Sequence, residues 1–154
     1  MILVQKQDFD VGAELKRLRN GDYKIGGICS FVGCVRDLSG NEMLKALTLQ
    51  HYPEMTEKEL HKIEVEAHKR WPLEASLIIH RYGRLEPGEQ IVLVITASAH
   101  RKAAFESCEF LIDYLKTCAP FWKNEDDGSV KKWVDARETD ELAVNKWKKN
   151  NTTI

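Results

Sequence analysis

Two hydrophobic periods alternate along this chain, and the switches between them mark its elements. Apolar residues spaced three and four apart indicate helices. Val11 to Arg19 places Leu15 and Leu18 on one face, with Asp10 as a candidate cap and Asn20-Gly21 as a stop. Leu60, Ile63 and Ala67 line a second helical face. Ahead of them, Thr56-Glu57-Lys58-Glu59 has the form of a capping box, and Trp71-Pro72 ends the helix. The widest stripe is Ala104, Phe105, Cys108, Leu111, Ile112 and Leu115, which predicts a helix over 101–117 stopped by Pro120. A last helix is expected over 140–149.

Between the helices the pattern shortens to that of strands. Residues 25–36 are rich in β-formers and glycine, and read as a buried strand whose glycines permit bends or close backbone approach. After a polar turn over 37–41, residues 44–51 read as its partner strand, with Leu47 and Leu49 on one face. Residues 76–82 and 91–97 look like a hairpin around Pro87-Gly88. Phe121-Trp122-Lys123 is expected to begin a loop, 124–129 to be exposed and mobile, and 130–136 to form a late strand. The order is helix, two strands, helix, two strands, helix, strand, helix. Hairpins are more evident than crossovers, which makes α+β the expected class. The length of 154 residues fits one domain over 1–154, with a flexible tail from about 145 to 154.

Charge and composition narrow the function classes. Lysines and arginines number 23 against 24 acids, a formal net charge of −1. That balance excludes a polybasic nucleic-acid binder held by bulk charge, and an acidic disordered tail. No apolar run approaches the roughly 20 residues of a membrane span. The start, Met1 to Lys6, lacks the basic and long apolar regions of a secretory signal, so a cytoplasmic protein with reduced thiols is expected. Cys29, Cys34, Cys108 and Cys118 form no C-x-x-C pair, and the five histidines are scattered. No metal or cofactor is expected from these spacings.

Four segments can carry chemistry, each with a plainer alternative. Gly33-Cys34-Val35-Arg36 ends an apolar strand in a guanidinium, which either snorkels or waits for an anion. Ser98-Ala99-His100-Arg101 puts two basic residues at a helix start, against the helix dipole. Such a cost against local rules marks functional sites, although a hydrogen-bonded histidine beside a solvated arginine is the bland reading. Lys116 continues the edge of the buried stripe, where a lysine can serve as base or nucleophile; a lysine favourably placed at the helix C-terminus explains it as well. Lys123 follows an apolar Pro-Phe-Trp run, and Arg137 follows Trp133 in a segment where it could be a plain surface ion pair. Cys29 and Cys108 read as small buried hydrophobes, and Cys34 alone has a cationic neighbour, Arg36.

In order along the chain stand Phe31-x-Gly33-x-x-Arg36, Leu49-x-His51-Tyr52-Pro53-x-Met55-Thr56, Arg70-Trp71-Pro72, His80-Arg81, Ser98-Ala99-His100-Arg101, Tyr114-Leu115-Lys116 and Ala119-Pro120-Phe121-Trp122-Lys123. Together these segments resemble the large, catalytic subunit of molybdopterin synthase, the MoaE family. The resemblance implies an α/β-hammerhead type of α+β fold and a sulfurtransferase. Such an enzyme converts cyclic pyranopterin monophosphate (precursor Z) to molybdopterin by building its dithiolene, in molybdenum cofactor biosynthesis. The sulfur arrives as a thiocarboxylate on the C-terminal glycine of a small ubiquitin-like, MoaD-like sulfur carrier. The family's assembly is a heterotetramer with a central homodimer of large subunits. By the same resemblance Arg36, His100 and Arg101 bind the pterin phosphate, with Arg36 offered across the dimer interface. Lys116 and Lys123 stand beside the carrier's terminal glycine as catalytic residues. Cys34, Val35, Asn124 and Glu125 line the pocket, and Arg137 adds a further cation. Two other readings stay open on sequence: a non-catalytic adaptor for a ubiquitin-like protein, and a sulfurtransferase using a Cys34 persulfide.

Overall fold

The computed structural model describes residues 1–36, 46–118, 121–126, 131–134 and 138–149. Its elements in chain order are β1 (Ile2–Gln5), α1 (Val11–Arg19), β2 (Gly27–Cys34), β3 (Ala46–His51), α2 (Met55–Arg70), β4 (Leu73–Arg81), β5 (Gly83–Leu85), β6 (Gln90–Ser98), α3 (Arg101–Cys118), β7 (Phe121–Asp126), β8 (Lys131–Val134) and α4 (Glu138–Lys149). They form two four-stranded sheets, ordered β1-β4-β6-β2 and β5-β3-β7-β8. Among the described residues only the β1–β4 pair is parallel; every other pairing is antiparallel. The α+β class expected from the chain is the class observed.

The first sheet is covered on both faces, which is why β4 and β6 read as continuous apolar runs rather than alternating ones. On one face Leu77, Ile79, Leu93 and Ile95 meet Phe9 and the half-buried Leu15 and Leu18 of α1. On the other, Ile78 and Val94 meet Leu60, Ile63 and Ala67 of α2, Cys108, Phe110, Leu111 and Leu115 of α3, and Trp147 of α4. Trp71, Phe110 and Trp147 pack edge to face there, with ring centroids 5.2–5.7 Å apart. A third cluster of Val35, Leu47, Leu49 and Leu85 joins the end of β2 to the second sheet.

Several expectations change. Residues 44–51 are not the partner of the preceding strand: β2 pairs with β6, while β3 pairs with β5 and β7 in the other sheet. The stretch expected to open a loop at Phe121 is strand β7, whose mixed polar sequence carries no period-2 signal. Of the segment expected to be mobile, 124–126 belong to β7 and 127–129 lie outside the described residues. Strands β1 and β5 hold four and three residues, too few to show a period. The capping box does not form. Helix α2 begins at Met55, with Glu54 at φ +65° in the cap position and no side-chain cap, and Thr56 is fully buried in the first turn. The helical bond from Thr56 N–H to Tyr52 O (3.0 Å) starts the helix ahead of the box. The last helix expected over 140–149 is α4, which begins two residues earlier, and Trp147 in it is buried. The expected α1 cap does form, with Asp10 Oδ1 accepting from Ala13 N–H at 2.9 Å.

Candidate functional site

The end of β2 is built around Val35. Its side chain is 4% exposed in the third apolar cluster. Its N–H donates to Glu89 O and its carbonyl accepts from Gly88 N–H, both at 2.8 Å. These bonds carry the β2–β6 pairing past the register shift at Gly33/Cys34. Gly88 holds φ +90°, which the turn over 86–89 needs and a side chain would oppose. Val35 thus fixes the chain between two exposed neighbours, Cys34 and Arg36.

The other end of β2 is built around glycine. Gly26 N–H donates to Ser98 O at 3.0 Å, and a Cβ on Gly26 would lie 2.1 Å from Ala99 O. The missing side chain lets the start of β2 pass directly under the turn that carries His100 and Arg101. Ser98 is fully buried; its hydroxyl donates to Pro72 O (2.8 Å) and accepts from His100 N–H (3.5 Å). His100 and Arg101 are exposed, and no acid occupies the first turn of α3. The dipole at that helix end is left unneutralised, with two basic side chains added to it.

Helix α3 runs back along β6. Thr96 Oγ1 donates to Ala104 O at 2.6 Å, and Cys108 Sγ lies 4.0 Å from Val94 O. Its start is therefore at the Ser98 end of the sheet and its finish at the Gln90 end. Because β2 is antiparallel to β6, Cys34 and Arg36 also lie at the Gln90 end. Lys116 is in the last turn of α3. It is exposed, not held at the edge of the buried stripe, which ends at Leu115. The axis of α3 puts about 22 Å between Arg101 and Lys116, and β2 puts about 23 Å between its two ends. Lys123, Asn124 and Glu125 are consecutive in β7, in register with Leu49, Thr48 and Leu47. Arg137 lies outside the described residues.

One chain thus makes two basic groupings instead of one pocket: Arg36 and Lys116 at one end of the first sheet, His100 and Arg101 at the other. Among the described residues none of these four is in an ion pair, whereas Arg17, Lys62, Arg70, Arg81 and Lys146 all are. Basic side chains gathered at a strand end and a helix start are suited to anionic ligands. The thiols separate as expected. Cys108 is buried, and burial together with the neighbouring Cys29 pushes its thiol well up, which makes it inert. Cys34 is exposed.

The family model described as MoaE protein matches residues 4–118. The chain belongs to the MoaE family. It is 51% identical over 152 residues to a molybdopterin synthase catalytic subunit of Mesorhizobium japonicum, covering 97% of this chain and 94% of that one. Its fold superposes on a molybdopterin biosynthesis MoaE protein from Burkholderia ambifaria with a TM-score of 0.83 at 51% identity, covering 96% and 97% of the two chains. A complex of subunits 1 and 2 of molybdopterin-converting factor from Helicobacter pylori shares the fold at 22% identity, with a TM-score of 0.72 over 88% of this chain and 91% of that one. This MoaE-family chain is thus similar to components of cofactor-biosynthesis enzymes. Among its described residues no helix is long and apolar enough to cross a membrane. Sequence reasoning marked the cations but missed what seats them: the Gly26 contact beneath the 99–101 turn, and the 86–89 turn that clasps Val35. The Gly26-Gly27 pair before an apolar strand was the available signal for the first.

Proposed function

We propose that this chain is the catalytic subunit of a molybdopterin synthase. It is a sulfurtransferase that converts cyclic pyranopterin monophosphate to molybdopterin, with sulfur delivered as the C-terminal thiocarboxylate of a small ubiquitin-like carrier. The observation that carries this reading is the set of basic side chains Arg36, His100, Arg101 and Lys116, none of them in an ion pair among the described residues, in a chain of the MoaE family. Substrate phosphate and donor thiocarboxylate are both anions, so bringing them together requires fixed positive charge in a site partly screened from water.

The roles follow from that need. Arg36, His100 and Arg101 hold the phosphate; the arginine forks suit its oxygens. Lys116 steers the thiocarboxylate and assists proton transfer as sulfur attacks, and Lys123 stabilises the charge that develops. Cys34, Val35, Asn124 and Glu125 line the pocket, and Arg137 adds to its positive field. The two ends of α3 are too far apart for one chain to close this site alone. In a two-fold homodimer, His100 and Arg101 of one copy meet Arg36 and Lys116 of the other, so each active site is shared. Carriers docked at both ends complete a heterotetramer. The Helicobacter pylori protein of the same fold, solved as a complex of two subunits, supports such a partner.

The test is single-turnover conversion with thiocarboxylated carrier. Lys116→Ala is expected to lose about 100-fold or more in rate, the usual worth of a positioned proton-transfer group. Arg36→Ala is expected to weaken pterin binding. Normal single-turnover conversion by Lys116→Ala would remove its role, and unchanged pterin affinity in Arg36→Ala would remove the phosphate clamp.

A further inference from the structure

We infer that Arg81 is a positioning residue for Arg36, acting through the turn over residues 86–89. The inference rests on the reading of Arg36 as a phosphate ligand and adds a residue that touches no substrate.

The Arg81 side chain is 8% exposed, an unusual place for a guanidinium unless its donors are all used. Nε donates to Lys6 O at 3.0 Å, just past the end of β1. Nη1 donates to Gln90 O at 2.8 Å, at the start of β6, and lies 3.5 Å from Asp8 Oδ1. Nη2 reaches Glu89 Oε1 at 3.4 Å. The other carboxylate oxygen of Glu89 accepts from Glu86 N–H at 2.6 Å, which closes the turn on itself. Asp8 is held in turn: the Gln90 amide donates to it at 2.9 Å, and this bond outweighs burial to keep its carboxyl below the usual range, helped by Phe9 N–H and the Arg81 charge.

The clasp ends at the candidate site. The turn that Arg81 and Glu89 fix is the one whose Gly88 N–H and Glu89 carbonyl grip Val35 from both sides. Val35 is the residue immediately before Arg36, and the β2–β6 ladder has already slipped register by this point. Without the turn, only the Cys34–Gln90 pairing and the packing of the Val35 side chain would be left to hold the strand end. A guanidinium fork suits this place because donors on one side chain reach two segments at once, Lys6 O and Asp8 on one and Glu89 and Gln90 O on the other; a lysine in its place keeps the charge but loses the geometry. An arginine serving only stability would leave the substrate response unchanged once the protein is folded.

The test is steady-state conversion by the assembled enzyme with thiocarboxylated carrier, using Arg81→Lys and, as a gentler cut through a half-exposed side chain, Glu89→Ala. Each is expected to raise KM for cyclic pyranopterin monophosphate about tenfold with a much smaller change in kcat, the consequence of a displaced ligand group. Combined with Arg36→Ala, neither should raise KM further. A KM increase that persists at full size in the Arg36→Ala background overturns the inference, as does a wild-type KM in Glu89→Ala. An unchanged KM in Arg36→Ala alone instead overturns the phosphate reading beneath it.

Discussion

Replacing Gly26 by alanine tests how the His100–Arg101 turn is seated. The new Cβ would lie 2.1 Å from Ala99 O and 3.1 Å from its carbonyl carbon. An ordinary carbon–oxygen contact is about 3.3 Å, so backbone on one side must move by about an ångström. The neighbour is a carbonyl, not a flexible side chain, and the Gly26 N–H bond to Ser98 O holds the two segments together. Relief therefore displaces the turn itself. Overpacking of this kind costs about 1–3 kcal/mol, and in a domain of this size lowers Tm by about 3–10 °C. A shift of about an ångström in His100 and Arg101 should also raise KM for the pterin about tenfold or more. Gly27→Ala is the internal control: its Cβ would meet Arg101 Cα at 3.4 Å, an ordinary contact, so Tm and KM should stay near wild type. Thermal melts and steady-state kinetics on both variants decide the matter. A wild-type Tm and KM in Gly26→Ala, or a larger effect in Gly27→Ala, would refute the reasoning.

Two further outcomes follow from the packing. Trp147 is 7% exposed, packs edge to face on Trp71 and Phe110, and donates its indole N–H to Asp113 Oδ2 at 2.7 Å; Trp147→Ala should cost about 3–5 kcal/mol in a denaturant titration. Burial pushes the Glu64 carboxyl up, but the Met1 amino group and the Ser76 hydroxyl (2.6 Å) outweigh it and hold it below its ordinary value of 4.5. A lowered folded-state value contributes stability that is present above pH 4.5 and lost as pH falls through the lowered value, so the Tm advantage of wild type over Glu64→Gln should shrink as pH falls below 4.5. An advantage independent of pH would contradict that assignment.

The helices were legible because their stripes are long: the six apolar positions of α3 and the three of α2 all face the core or its margin except Phe105, which is exposed. Pairing was less so. Strand β3 alternates like a neighbour of β2, yet period 2 fixes only which face is buried, and the burial of Leu47 and Leu49 is served equally by a second sheet. Strand β7 was unreadable because Phe121-Trp122-Lys123-Asn124-Glu125-Asp126 has neither period. The candidate site was visible as residue types that defy local rules, above all His100-Arg101 at a helix start. Its geometry was not. The roughly 22 Å between Arg101 and Lys116 follows from the helix predicted over 101–117; what spacing alone does not show is that β2 pairs antiparallel with β6, which sets Arg36 at the Lys116 end.

That separation makes the central claim directly measurable. If each active site draws His100 and Arg101 from one copy and Lys116 from the other, two inactive variants can repair each other. Lys116→Ala and Arg101→Ala proteins, mixed under conditions of subunit exchange and supplied with thiocarboxylated carrier, should regain about a quarter of wild-type conversion, because half the dimers are mixed and each then holds one intact site. Activity no higher than the mean of the two separate variants would show that a single chain supplies all the cations, and would contradict the account.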